Sequence, residues 1–195
     1  MRLDGECYAL VTFALPGHGS TGNLARMKRS RWLMSAVGLL ALRLGAQTRA
    51  PEPAGLHALD FWLGTWNVML ADGQKAGDNR IDRLLGGFAL QENWSEPDHH
   101  EGKSWFYFYR PENRWKQVWV TDGGFVKEKA QVEGAPAGSV RFQGTVIGKG
   151  GARILDRTTL TPLAEGRVRQ VIETSRDDGA TWQTGFDAIY IPVHP

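Results

Sequence analysis

From residue 56 onward, apolar and polar positions alternate in short runs, each ended by glycine, proline, asparagine or aspartate. Trp105, Tyr107 and Tyr109 fall on one parity and Phe106 and Phe108 on the other, while Trp115, Gln117 and Trp119 oppose Lys116, Val118 and Val120. A period of two is that of a strand whose successive side chains point to opposite faces. Breaks recur at Ala71-Asp72-Gly73, Gly86-Gly87, 97–102, 110–113, Asp122-Gly123-Gly124, 134–138, 148–151, 162–166 and Asp177-Asp178-Gly179. These turn signals separate about ten candidate strands. No stretch keeps a helical period for about a dozen residues. The pattern predicts an all-β domain, and a single antiparallel up-and-down β-barrel is the simplest way to join so many sequential hairpins.

The stretch that organises this domain is Leu56 to Leu70, with Asp60-Phe61-Trp62-Leu63-Gly64-Thr65-Trp66 at its centre. Residues 56–63 predict one short helical turn, and Gly64 the start of the first strand. Two tryptophans and a phenylalanine around one glycine fit a plug that closes one end of a barrel, with the glycine admitting close backbone approach. Near the other end of the chain, Ser175-Arg176-Asp177-Asp178-Gly179-Ala180-Thr181-Trp182 has the spacing of an Asp-box hairpin. In that turn Asp and Ser oxygens accept from amides and Gly takes a left-handed conformation. A propeller would repeat it, and it occurs once.

The first 50 residues differ from the rest. Residues 1–26 carry no periodicity and read as an over-extended start. From Met27, a basic group (Lys28, Arg29, Arg31), an apolar run from Trp32 to Leu42 and small residues at Gly45-Ala46 have the layout of a secretory signal peptide over 27–46. The apolar run is too short to span a bilayer, so stable membrane insertion is not expected. A polar tail over 47–55 then leads to a domain over 56–195. This division changes the charge argument. The whole chain holds 23 Lys and Arg against 21 Asp and Glu, but six of the former and two of the latter lie before residue 47, leaving 17 against 19, a net −2. The basic balance belongs to the leader and gives no support for nucleic-acid binding. The one cysteine, Cys7, also lies there, so the domain has no thiolate nucleophile or cysteine ligand for a metal.

Candidate chemistry lies at strand centres. Leu90, Glu92 and Trp94 share a face, as do Trp115, Gln117 and Trp119, and Val168, Gln170 and Ile172. If these faces line a lumen, Glu92, Gln117 and Gln170 offer hydrogen bonds inside an aromatic wall, the arrangement of a small-ligand site. The expected ligand-binding set is Glu92, Trp94, Tyr107, Gln117, Trp119 and Gln170. A carboxylate desolvated among tryptophans has a raised pKa and can act as a general acid or base. The plainer alternative is that Glu92 pairs with Arg169 or another arginine. Arg167, Arg169 and Glu173 read as a solvated charge cluster, and Lys127, Glu128 and Lys129 as an exposed strand segment. Of His57, His99, His100 and His194, only two are close in sequence, and adjacent strand residues diverge, so no metal site is expected. No Gly-x-Ser-x-Gly elbow is present.

Three segments together resemble a family of secreted bacterial lipocalin-like proteins of unknown function: Phe61 to Val68, Arg114 to Gly124, and Gly166 to Ser175 running into the Asp-box and Phe186 to Tyr190. Gly64-Thr65-Trp66 is also similar to the Gly-x-Trp signature at the first strand of lipocalins and to the opening of nitrobindin-like haem barrels. The resemblance implies a lumen that takes a small, partly apolar or amphipathic molecule, in a periplasmic or secreted monomer or homodimer. It leaves haem as an option through His194, and otherwise implies no cofactor. One departure is that lipocalins usually pack an arginine over that tryptophan, and residues 188–195 contain none. Two further readings stand beside the binder: an enzyme using Glu92 for proton transfer (an isomerase, cyclase or hydrolase), and a non-catalytic dimerisation module using surface aromatics.

Overall fold

A computed structural model describes residues 51–193. The expected leader, its cleavage site, Cys7 and His194 lie outside the described residues. Ten strands follow one another in chain order: β1 (Gly64–Leu70), β2 (Lys75–Leu84), β3 (Ala89–Ser95), β4 (Glu101–Tyr109), β5 (Arg114–Thr121), β6 (Val126–Val132), β7 (Val140–Ile147), β8 (Arg153–Pro162), β9 (Val168–Ser175) and β10 (Gln183–Pro192). Each pairs antiparallel with its sequence neighbours, and β1 pairs with β10 to close the barrel, with Val68 opposite Tyr190. Closure leaves no unpaired edge.

The alternation predicted for β4 is strict, exposed and buried positions following one another from Glu101 to Tyr109. The inward parity is that of Ser104, Phe106 and Phe108. Trp105, Tyr107 and Tyr109 point outward and are 49, 40 and 39% exposed. Tyr107, expected among the ligand contacts, is therefore on the outer wall. Its neighbour in register is Lys116, whose ammonium lies 4.3 Å from the centre of the Tyr109 ring.

The helical turn predicted before β1 is present as a single 3-10 turn, Asp60–Trp62, followed by Gly64 at φ +126°, a conformation open only to glycine. Leu56, Leu59 and Trp62 are fully buried under one end of the barrel. The Trp62 ring meets Phe106 edge-on at 5.4 Å and Tyr190 at 6.0 Å. Trp115 Nε1 donates to Gly55 O at 3.0 Å, tying the incoming segment to β5. Where the sequence offers no arginine to cover Trp66, the structure uses Tyr190, packed edge-on at 6.1 Å, while Trp66 Nε1 donates to Trp62 O at 3.1 Å.

Outside the barrel, the expected charge cluster resolves into separate pairs: Arg157 with Glu173, Arg169 with Asp187 and Arg167 with Glu165. The Asp-box segment forms a closed turn. Asp177 accepts from the Thr181 amide and hydroxyl, Gly179 N donates to Ser175 Oγ, and the Arg157 guanidinium stacks 3.8 Å from the Trp182 ring.

Candidate functional site

The inward residues form three layers. At the plugged end lie Trp66, Ile81, Leu90, Phe106, Phe108, Trp115, Phe142 and Leu160, all buried. At the far end, where β3 runs out at Ser95 and β4 begins at Glu101, the wall is Trp94, Trp119, Ile172 and Phe186. Between the two is a polar belt that sequence reasoning recognised only in part.

One arc of the belt is a continuous hydrogen-bond chain. Gln117 Nε2 donates to Ser104 Oγ at 3.1 Å, and Ser104 Oγ to Glu92 Oε2 at 2.6 Å. Asn79 Nδ2 donates to Glu92 Oε1 at 2.7 Å and lies 3.4 Å from the Tyr190 hydroxyl, which in turn donates to Gln170 Oε1 at 2.6 Å. Glu92 is thus held by neutral partners, and Arg169 faces outward to Asp187. Burial pushes the Glu92 carboxyl above its ordinary value, against the opposing hydrogen bonds from Ser104 and Asn79 and the field of Lys129. Burial raises Tyr190 as well.

The second arc corrects the expectation for β6. Lys127 and Lys129 are not on an exposed segment; both point into the lumen, and only Glu128 between them is exposed. They share parity because their register partners on β5 are the inward Trp119 and Gln117. Both ammoniums converge on the buried Asp156, Lys127 at 2.7 Å and Lys129 in closer contact, and Lys129 also donates to Thr158 Oγ1 at 2.7 Å. Burial lowers Lys129 to about 8, partly offset by Asp156. The Asp156 carboxyl, which burial alone would raise, is held below its ordinary value by the two lysines. Its neighbours on β8, Ile154, Thr158 and Leu160, share its inward parity, and that is the signal by which the pair could have been found.

The belt forms the floor of a cavity of about 150 Å³ whose lining includes Glu92, Trp94, Gln117, Trp119, Gln170 and Lys129, with Glu96 at its exposed rim. Five of the six sequence-derived contacts line it; Tyr107 does not. A cavity of this size has room for about one aromatic ring. Two strand glycines shape its mouth. A Cβ on Gly77 would come within 2.8 Å of the Trp94 ring, and one on Gly102 within 2.7 Å of Trp119 Nε1. Each indole lies over a neighbouring strand that has no side chain there.

The described residues contain no group of three or more His, Cys, Asp or Glu that could hold a metal ion. His57 lies 2.8 Å from Asp60 and His100 3.1 Å from Asp122, both on the surface. No protein-family model matches the chain, and no curated protein matches it.

The raised Glu92 carboxyl gives a signed pH prediction. A group whose folded pKa lies above its unfolded one loses its stabilising contribution as pH rises through that window. Glu92→Gln keeps one acceptor, for Asn79, places an N–H group toward the Ser104 hydroxyl oxygen, and removes the titration. In urea melts at about pH 4 and about pH 8, the stability of the variant relative to the wild type is expected to improve at the higher pH. A difference that stays constant would mean that Glu92 titrates as it does in water.

Proposed function

We propose that this protein is a binding protein of lipocalin-like type that holds a small, partly apolar molecule in its lumen. The observation that carries the reading is the cavity itself: one end of the barrel is plugged by packed side chains, while the other keeps an aromatic-walled space over a belt of polar groups. A barrel that served only as a scaffold would gain by filling this space, since packed interiors leave few voids. The signal-peptide pattern of 27–46 supports action in the periplasm or outside the cell.

Native mass spectrometry of the protein purified from its own host tests this. A single small mass is expected to be retained under native conditions and lost on denaturation. Gly102→Ala, which drives the Trp119 ring toward the cavity, is expected to leave the fold intact and to weaken retention about tenfold, the equivalent of modest overpacking. An empty wild-type barrel, or a variant that retains the mass unchanged, would count against the lumen as the site.

A second reading, proton transfer by Glu92, is favoured by one observation: a buried carboxyl at the cavity floor with no cation bonded to it. It requires turnover that Glu92→Gln abolishes while binding persists.

A further inference from the structure

The lysines of the lumen share one contacting carboxylate. Two ammoniums, Lys127 and Lys129, share the single carboxylate of Asp156. The other inward carboxyl, Glu92, is bonded to Asn79 and Ser104, and its burial disfavours ionisation. Glu96 stands at the exposed rim, where it accepts from Trp94 Nε1 at 3.2 Å. Two ammoniums therefore stand at the cavity with a single carboxylate in contact with them, and Lys127 also lies 5.3 Å over the Trp119 ring.

The hydrogen-bonding inventory points the same way. An ammonium has three donors; Lys129 donates one to Thr158, and both lysines stand in ion-pair contact with Asp156. Gln170 receives Tyr190 on its carbonyl, which leaves its amide N–H groups for the cavity. The cavity is thus rich in donors. A ligand that fits would carry an anionic group for the lysines and a flat apolar body for the space between Trp94, Trp119 and Phe186.

We propose, resting on the lumen being a binding site, that its ligand class is a small aromatic monocarboxylate, bound with its carboxylate at Lys127 and Lys129 and its ring among the mouth aromatics. The ring of such a molecule is of the size the cavity holds, and the opening at Glu96 leaves room beyond it. Asp156 then acts as a positioning residue, holding both ammoniums toward the same space.

Isothermal titration calorimetry with two molecules of nearly equal shape tests the charge directly. Para-hydroxybenzoate is expected to bind at least about tenfold more tightly than its neutral twin, para-hydroxybenzyl alcohol, the usual advantage of a charge-assisted hydrogen bond. Lys127→Met should remove most of that advantage, bringing the affinities of the two molecules close together. Equal or tighter binding of the alcohol to the wild-type protein would overturn the anion inference while leaving the binding reading standing. If neither molecule binds while native mass spectrometry still finds a retained mass of another class, the inference alone fails; if no mass is retained either, both fail.

Discussion

Trp62→Ala is expected to cost about 3–5 kcal/mol of folding stability, the cost typical of removing a large aromatic ring from a packed core. Trp62 is completely buried, and its ring is the contact through which the N-terminal segment reaches both β4 at Phe106 and β10 at Tyr190. Truncation also loosens the support of Trp66, whose indole N–H depends on the Trp62 carbonyl and whose ring shares Tyr190. Trp62→Phe should cost much less. It keeps a ring against Phe106, and it removes the Trp62 Nε1 donor, which has no partner in the native structure. Urea denaturation of the two variants, compared at constant m-value, measures both effects. If alanine costs no more than phenylalanine, the plug is not part of the cooperative core.

The second large effect is at Asp156. Asp156→Asn preserves shape but leaves Lys127 and Lys129 facing each other without a counter-ion, and breaking a buried pair in this way costs about 3–5 kcal/mol near neutral pH. The pH dependence has a definite sign. Lys129 already titrates at about 8 in the folded protein against an ordinary value of 10.5, so between these values the unfolded chain binds more protons and stability rises with pH. Without Asp156 the folded value falls further, the window widens, and the variant should regain stability more steeply than the wild type as the solution is made alkaline. Combining Asp156→Leu with Lys129→Met should recover much of the loss. A variant equally unstable at neutral and alkaline pH would show that the loss comes from packing rather than charge.

The barrel was legible in the sequence because its information is local. Period-two alternation and recurrent turn residues mark every strand of 64–192, and the ladders that follow join chain neighbours. What local pattern does not carry is which face is inside when both are apolar. In β4 the two parities are Trp-Tyr-Tyr and Phe-Phe, and the choice is made by the neighbours: Leu90 and Gln117, which flank Phe106 in register, already belong to the lumen. Tyr107 belongs to the parity that this register turns outward. Lys127 and Lys129 were assigned to the surface because lysines on strands are ordinarily solvated. Their true environment depends on Asp156, 27 positions beyond Lys129, and no spacing within β6 announces it. The glycines under Trp94 and Trp119 look in sequence like interruptions; only the cross-strand approach of the rings gives them a purpose.

The strand order has a consequence for how the chain assembles. Nine of the ten ladders join strands adjacent in the chain, so their contacts can form hairpin by hairpin at small loop-closure cost. The tenth, between β1 and β10, brings Val68 to Tyr190 across nearly the whole domain. That seam is the slow, non-local step, and Tyr190 is also the residue on which Trp62 and Trp66 rest. The plug therefore cannot seat until the last strand has arrived, and a chain that has not yet delivered β10 remains an open sheet with two free edges. The ten-residue strand β10 is therefore both the closing wall of the barrel and the support of its plug.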